Sequence, residues 1–558
     1  MKALLQFMLN VGLLVTIGFA QDVNLSGRVT GHDGNGVEGC KVTLGNVTVT
    51  SSSDGSFTFV GRVTGLRSDR ASGHPSLMKE AEVDDAITIT CTGYLPKKQT
   101  ITSYRGDIGT IALKKPNILI LMADDMNMWT SMTNGWAKTP HLDKLAKSGM
   151  YFANAHVSAQ ECQPSRSSLW SGLRPSTTGA YWNSDWFRDQ PAGKDAVTLP
   201  QYLQRHGYKT ISVGKIFHKP TGRESDPVSW DEQHKLSGTP VPREYKDNPW
   251  HQNDYIKQDP PSPYNNGAFV FGPTTVAKED TGDYKGAKFT ADFLKQEHTQ
   301  PFFIACGNFR PHTPLVAPPE YFDLYPLDQI QTPETLAGDL DDVGPIGAEV
   351  SRNWGKNLHD VVLKHGAWKK AIQAYKACVS FVDDNMGMVL DALEQGPHVD
   401  NTIVFFISDH GVHLGEKEHW WKMTLWFQTT QIPFIVRVPG MTPVGKRCTR
   451  PIDVTSIYPT IVELLGLPPK SDIDGRSIVP LLENPDKEWP YAAVTTAGYK
   501  NHAVVSENFR FIQYKDGFEE LYDKRIDSLE FHNVVDDAKY AEDLKFLRGF
   551  LPTLNVEN

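Results

Sequence analysis

Two textures of hydrophobic and polar positions divide this chain. From residue 22 to about 114, the stretches VNLSGRVTG, CKVTLGNVTVTS, GSFTFVG, AITITCTGY and QTITSY alternate apolar with polar residues. A period of two gathers the apolar side chains on one face of a strand. Turn signals such as HDGNG and SDG interrupt the alternation, so the pattern predicts a small β-sandwich over residues 21–114. Beyond KKPNILILMADDMN the period changes. NILILMA is apolar throughout, as a strand buried on both faces must be, and it ends in paired aspartates. TPHLDKLAKSG has helical spacing, YFANAHV reads as a strand and PSRSSLWSG as a helix. TLPQYLQRHG then KTISVG, and FTADFLKQEH then PFFIACG, each place a helix before a strand. AWKKAIQAYKACVSFVDDNMGMVLDALEQ is a long amphipathic helix leading to NTIVFFIS.

Strands alternating with helices predict an α/β domain over residues 115–480, with a large, mainly parallel sheet flanked by helices. Ligand sites in such sheets lie beyond the carboxyl ends of the strands. Residues 481–558 are shorter-stranded (HAVVSENFRFIQY, FEELYDKRIDSLEFHNVV) and end in a helix, which predicts a smaller α+β subdomain. Residues 220–285 are rich in proline and tryptophan with little periodicity, as expected of loops near a substrate.

Composition narrows the partners. At 558 residues, 39% hydrophobic and 22% charged, the chain has ample core for several domains. A net charge of −10 argues against nucleic acid or an anionic membrane surface as the main partner. An anionic substrate then needs a locally basic pocket. The first twenty residues, MKALLQFMLNVGLLVTIGFA, join Lys2, an apolar stretch and small Gly18 and Ala20, the form of a signal peptide cleaved near Ala20. Polar Gln6 and Asn10 count against a retained anchor. The expected location is periplasmic or secreted, with no membrane attachment after cleavage and with disulfides permitted. None of the six cysteines forms a C-x-x-C pair, which disfavours structural zinc or iron–sulfur sites. Cys40 and Cys91 both fall in the alternating segment and could bridge one another.

The candidate chemistry clusters at predicted strand ends. Asp124-Asp125 follows NILILMA and Asp409-His410 follows NTIVFFIS. Buried carboxylates at close range repel unless a cation holds them together, and carboxylate-rich sites suit hard divalent ions. His410 is an unusual calcium partner, so the residues alone leave manganese or zinc open. Lys215 and His218 follow KTISV, Arg310 and His312 follow PFFIACG, and Lys422 lies downstream of Asp409. A cation with lysines and histidines at one rim makes a receptor for a tetrahedral anion. Cys162, in ECQPSRSSLWSG at the mouth of a predicted helix, has three readings: half a disulfide, a metal ligand, or a catalytic group.

C-Q-P-S-R matches the C-x-P-S-R signature of type I sulfatases in the alkaline phosphatase superfamily, and the resemblance covers roughly residues 116–545. VGKIFHKP, RPHTP, SDHGVHLGEKEHWWK and ENFRFIQYKDGFEELYD resemble the iduronate-2-sulfatase-like branch. The resemblance implies an alkaline phosphatase-like sulfatase fold, with residues 115–480 as catalytic domain and 481–558 as its C-terminal subdomain. It implies that a formylglycine-generating or anaerobic maturation enzyme oxidises Cys162 to formylglycine, whose hydrate is the nucleophile. Arg166 would steady that group, and Asp124, Asp125, Asp409 and His410 would bind one Ca2+ with it. Lys215 and Lys422 would hold the sulfate oxygens, His218 would contact the formylglycine hydroxyl, and His312 would protonate the leaving oxygen. The chain departs from the family in having Ser171-Gly172 where Thr-Gly is frequent. His410 stands where many sulfatases have asparagine, although the iduronate-like branch also has histidine. The N-terminal segment resembles carboxypeptidase regulatory-like domains, implying a spacer or carbohydrate-contacting module.

The resemblance implies a sulfated oligo- or polysaccharide as substrate. Trp129, Trp182, Trp186, Trp420, Trp421 and Trp426 lie near the motifs and could stack on sugar rings, or could pack in the core. Arg310 and Arg188 could pair with a uronate carboxylate. Two rival readings are a phosphodiesterase or phosphonate hydrolase of the same superfamily, and a non-catalytic glycan-binding relative.

Overall fold

The computed structural model describes residues 19–66, 85–133, 135–236, 255–257, 268–353 and 357–558. Residues 1–18 of the expected signal peptide, and much of the aperiodic 220–285 segment, lie outside the described residues. The chain divides after Pro116 into two units, two residues beyond the boundary expected from the sequence.

In the first unit, the alternating stretches form seven strands. They are β1 (Phe19–Thr30), β2 (Lys41–Leu44), β3 (Val47–Thr50), β4 (Ser56–Leu66), β5 (Asp85–Thr90), β6 (Lys97–Ile101) and β7 (Arg105–Ala112). They make two sheets, ordered β4-β1-β7 and β3-β2-β5-β6. The buried members of each alternation, among them Leu25, Val42, Phe59, Ile87 and Ile111, share one core. Cys40 and Cys91 are joined by a disulfide at the edge of that core, closing a loop of 51 residues.

The second unit is built on an eight-stranded sheet. Its strands are β8 (Asn117–Asp124), β9 (Met150–Phe152), β10 (Lys209–Gly214), β11 (Glu232–His234), β12 (Phe302–Pro311), β13 (Thr402–Ser408), β14 (Phe434–Arg437) and β15 (Lys446–Cys448). The sheet order is β11-β10-β12-β8-β13-β14-β9-β15, and β14 alone runs against the rest. Every residue of β8 and β13 is buried, which is why these central strands read as unbroken apolar runs. Helices α1 (Pro140–Ser148), α2 (Cys162–Ser171), α3 (Gly282–Leu294) and α4 (Trp368–Gln395) flank the sheet. The apolar stripe of α4 packs on α1, α3 and β12. Helix α5 (Ile457–Leu464) packs on α2. The fold is α/β with a large mainly parallel sheet, as the alternation of elements predicts.

Toward the C-terminus a separate antiparallel sheet, β16 (Ala493–Thr496), β17 (His502–Val505), β18 (Phe509–Gln513) and β19 (Glu519–Asp523), packs against α6 (Ala541–Arg548) through Phe511, Leu521 and Leu547. Among the described residues no helix is long and apolar enough to cross a membrane.

Candidate active site

Four neighbouring parallel strands, β10, β12, β8 and β13, end at one rim. Lys215 follows β10 and His312 follows β12. Asp124 closes β8 with Asp125 after it, and Asp409 and His410 follow β13. The close approach at this rim depends on small residues. At Gly214 (φ +74) an added Cβ would stand 2.2 Å from the Gly307 carbonyl oxygen, and at Gly307 it would stand 2.1 Å from that of Lys215. Asp125 itself takes a left-handed conformation (φ 65). Tyr375 holds it there, its hydroxyl donating to the Asp125 carbonyl at 2.8 Å and accepting from the Asn127 amide at 2.9 Å.

Cys162 is the first residue of α2, a helix buried along its whole length, so its free amides and positive end point at the thiol. Gly172 (φ 75) ends that helix, its amide bonding back to Ser168. Around the fully buried sulfur stand Lys422 Nζ at 3.1 Å, His410 Nε2 at 3.3 Å and Asp124 Oδ1 at 3.6 Å. Arg166, one turn along α2, donates to Asp409 at 2.9 Å, to Asp124 at 3.2 Å and to the Lys215 and Ile216 carbonyls. Lys215 pairs with Asp124, and Lys422 pairs with Asp125 at 2.9 Å. His312 Nε2 lies 3.9 Å from Asp125, with its ring part-exposed and Nδ1 against the Thr313 carbonyl.

Lys422 reaches the site from a contorted segment. Lys417, Glu418, Trp421 and Met423 all have left-handed backbone, a conformation that costs energy in non-glycine residues. The segment is held from both sides. Lys417 is buried against Asp339 at 2.7 Å and the Glu530 carbonyl at 2.5 Å. His419 lies between the Ser351 and Lys422 carbonyls, at 2.8 and 2.7 Å.

Three buried carboxylates thus face two lysines and an arginine, and each shifts its neighbours. Burial would raise the Cys162 thiol, but Lys422, Lys215 and His410 outweigh it and hold it well below the ordinary thiol value. Asp124, despite burial, is held low by Lys215. Asp409 is pushed up to about 7, first by burial, which outweighs Arg166, and further by the charge on Asp124. Burial would depress His410, but the Asp409 carboxylate raises it to about 9. Burial pushes the His218 imidazole down, against its contact with Cys162.

Ligand atoms of Asp124, Cys162, Asp409 and His410 lie within 4.8 Å of one another, and so do those of Asp125, Cys162 and His312. A carboxylate as strongly driven to protonate as Asp409 is one that a divalent cation would relieve. The oxygen-rich donor set fits a hard ion, with His410 as its one nitrogen.

The remaining sequence candidates divide. The Arg188 reading is corrected: its guanidinium is spent on both oxygens of Asp226 (2.5 and 2.8 Å), Gln201 and the Ala196 carbonyl, leaving nothing for a uronate. Arg310 stands at the end of β12, close before His312. It is buried and donates to the Val316 and His312 carbonyls, so it shapes the loop that carries His312. Trp129, Trp186, Trp420 and Trp426 are buried, whereas Trp182 keeps 39% of its surface exposed. Sequence reasoning missed Tyr375 and Asn183. Asn183 accepts from the Gln163 amide at 2.8 Å and donates its own amide to Glu161 at 2.7 Å, bracing the start of α2. No local signal marks either residue, because both act across long sequence separations.

The parallel sheet, with cationic and acidic side chains converging on one cysteine at a helix mouth, suits a tetrahedral anion, and the comparisons with known proteins make the class a sulfuric ester hydrolase. Residues 116–467 match the sulfatase family model, and residues 415–556 match the C-terminal model of N-sulphoglucosamine sulphohydrolase. The chain belongs to the sulfatase family. It is 36% identical over 450 residues to a sulfatase of Formosa agariphila, covering 79% of this chain and 87% of that one. It is 28% identical to the iduronate 2-sulfatase of Homo sapiens, over 64% of this chain and 70% of that one. Among solved structures, one in complex with its substrate D-glucosamine-2-N,6-O-disulfate superposes with a TM-score of 0.59 at 21% identity, covering 78% of this chain and 96% of that one.

Proposed function

We propose that the protein is a formylglycine-dependent sulfatase of the iduronate-2-sulfatase-like branch, acting on sulfate monoesters of a carbohydrate. The observation that carries this reading is the set of Lys422, His410 and Asp124 around Cys162 at the start of α2. The sugar assignment rests on the relatives, whose names specify iduronate and a glucosamine disulfate. The expected signal peptide supports a periplasmic or secreted protein. The glycine-turned first unit fits a carboxypeptidase regulatory-like module.

Asp124, Asp125, Asp409 and His410 would hold a calcium ion, which would supply positive charge for the sulfate oxygens, and Cys162, once converted to a formylglycine hydrate, would supply the nucleophile. The chain's own residues do the rest. Lys215 and Lys422 offset the charge by which a sulfate monoester repels nucleophiles. Arg166 fixes Asp409 and Asp124 in place, and Asp409 would take a proton from a hydroxyl at 162. His218, kept neutral by burial, can accept a proton from a second hydroxyl there. His312, on the exposed side, can hold a proton at Nε2 for the departing alcohol.

The test is expression with and without a formylglycine-generating enzyme, followed by intact mass and sulfate release. The active form should be lighter by the exchange of a sulfur for an oxygen with loss of two hydrogens, and Cys162→Ala should release no sulfate. Undiminished sulfate release by Cys162→Ala sinks the mechanism. Faster turnover of a phosphonate monoester than of any sulfate ester would favour the phosphonate hydrolase reading.

A further inference from the structure

A cavity of about 270 Å³ is continuous in sequence with both sides of the active site. One wall carries Met423 and Thr424, the two residues after Lys422, whose Nζ touches Cys162. Another carries Trp182, the residue before Asn183, which braces Glu161 and Gln163 on either side of Cys162. The cavity is therefore lined by the chain neighbours of Lys422 and of Asn183, the two residues that reach the Cys162 position from either side. Asn501 and Lys515 reach it from the loops of the C-terminal sheet and are tied together, the Lys515 amide donating to Asn501 Oδ1 at 2.8 Å. Glu349 completes the rim.

We propose that this cavity is the leaving-group subsite and that it seats a pyranose ring. Trp182 supplies the stacking face, and Lys515 and Glu349 supply the hydroxyl-binding edge, while the Asn501 carboxamide is held within the protein, accepting the Lys515 amide and donating to the Ala497 carbonyl at 2.9 Å. A pyranose has apolar C–H faces and a rim of hydroxyls, and the cavity lining offers both kinds of surface, apolar in Trp182 and Met423 and polar in Lys515 and Glu349. Lys515 opposes a quaternary ammonium group, and an unsubstituted aryl ring would leave the polar rim without partners. The backbone fixes the stacking face as well. A Cβ on Gly498 (φ +79) would stand 2.8 Å from the Trp182 indole, so ring and turn are in contact. The subsite rests on the sulfatase reading for its place next to the ester, but ligand binding there does not require turnover.

Binding is therefore measured on Cys162→Ala, with and without Trp182→Ala or Lys515→Ala. The probes are glucosamine 6-sulfate, a 2-sulfated uronate disaccharide and 4-nitrophenyl sulfate, followed by calorimetry and tryptophan fluorescence. Trp182→Ala should weaken at least one sugar sulfate by about tenfold and leave 4-nitrophenyl sulfate within about twofold, while Lys515→Ala acts in the same direction. Equal loss for sugar and aryl sulfates, no loss for any sugar, or no sugar binding at all overturns the subsite. Trp182-dependent sugar binding by Cys162→Ala, with no sulfate released from any ester by the parent chain matured with a formylglycine-generating enzyme, would uphold the subsite and sink the sulfatase mechanism.

Discussion

Arg166 and Asp409 pair at 2.9 Å with neither side chain exposed to solvent. The same guanidinium reaches Asp124 and two backbone carbonyls of the Lys215 turn, so one side chain ties the ends of three strands. A buried ion pair gains little over an apolar pair, but removing one partner strands the other charge in a dry interior. Arg166→Ala should therefore destabilise the second unit by about 3–5 kcal/mol, read from urea unfolding. Arg166→Lys, with one donor head and no planar fork, should fold better and still lose most activity. A midpoint unchanged in Arg166→Ala would mean that the pair carries no stability.

His312 is the part-exposed member of the cluster, with Nε2 3.9 Å from Asp125. A group that protonates the leaving oxygen matters most when the leaving alcohol is a poor one. His312→Ala should lower kcat/KM for a sugar sulfate by about 10²–10⁴-fold and for 4-nitrophenyl sulfate far less. Plotting rate against leaving-group pKa checks this: the slope should steepen in the variant. An identical drop for every leaving group would assign His312 to binding.

How much of this was legible beforehand depends on the range of the interactions. NILILMA and NTIVFFIS announced central strands because both of their faces are buried, and the aspartates ending them marked the rim. Cys162, Lys215, His312 and Lys422 were found through short motifs, which are local by nature. Arg188 was misread because its partner Asp226 lies 38 positions away in an aperiodic segment, and nothing local shows a guanidinium already spent. Lys515 and Asn501 were invisible for a related reason: only the packing of the C-terminal sheet beside Trp182 brings them to the cavity.

The carboxylate cluster predicts a cation requirement that is separable from folding. Asp124, Asp125 and Asp409 are already partly neutralised by Lys215, Lys422 and Arg166, so the chain should fold without the ion. Chelation should abolish sulfate release while circular dichroism stays native, and calcium should restore activity with one ion bound per chain. Asp124→Asn should lose the ion in elemental analysis. Full activity after exhaustive chelation would remove the cation from the mechanism.

Glu416 offers a test of the scaffold that presents Lys422. Its carboxyl is buried, accepts the Leu414 amide at 2.6 Å and is pushed up to about 7 by burial. The unfolded chain releases this proton at the ordinary glutamate value near 4.5. Between those values the native state binds the extra proton, so stability falls as pH rises through the window and the cost is complete above pH 7. Glu416→Gln keeps an oxygen for the Leu414 amide and removes the charge. Its melting temperature should match the parent near pH 4.5 and exceed it, by on the order of a few °C, above pH 7. Scanning calorimetry at both pH values decides the matter. A variant less stable than the parent at pH 8 would show that the carboxylate is ionised and stabilising in the folded protein.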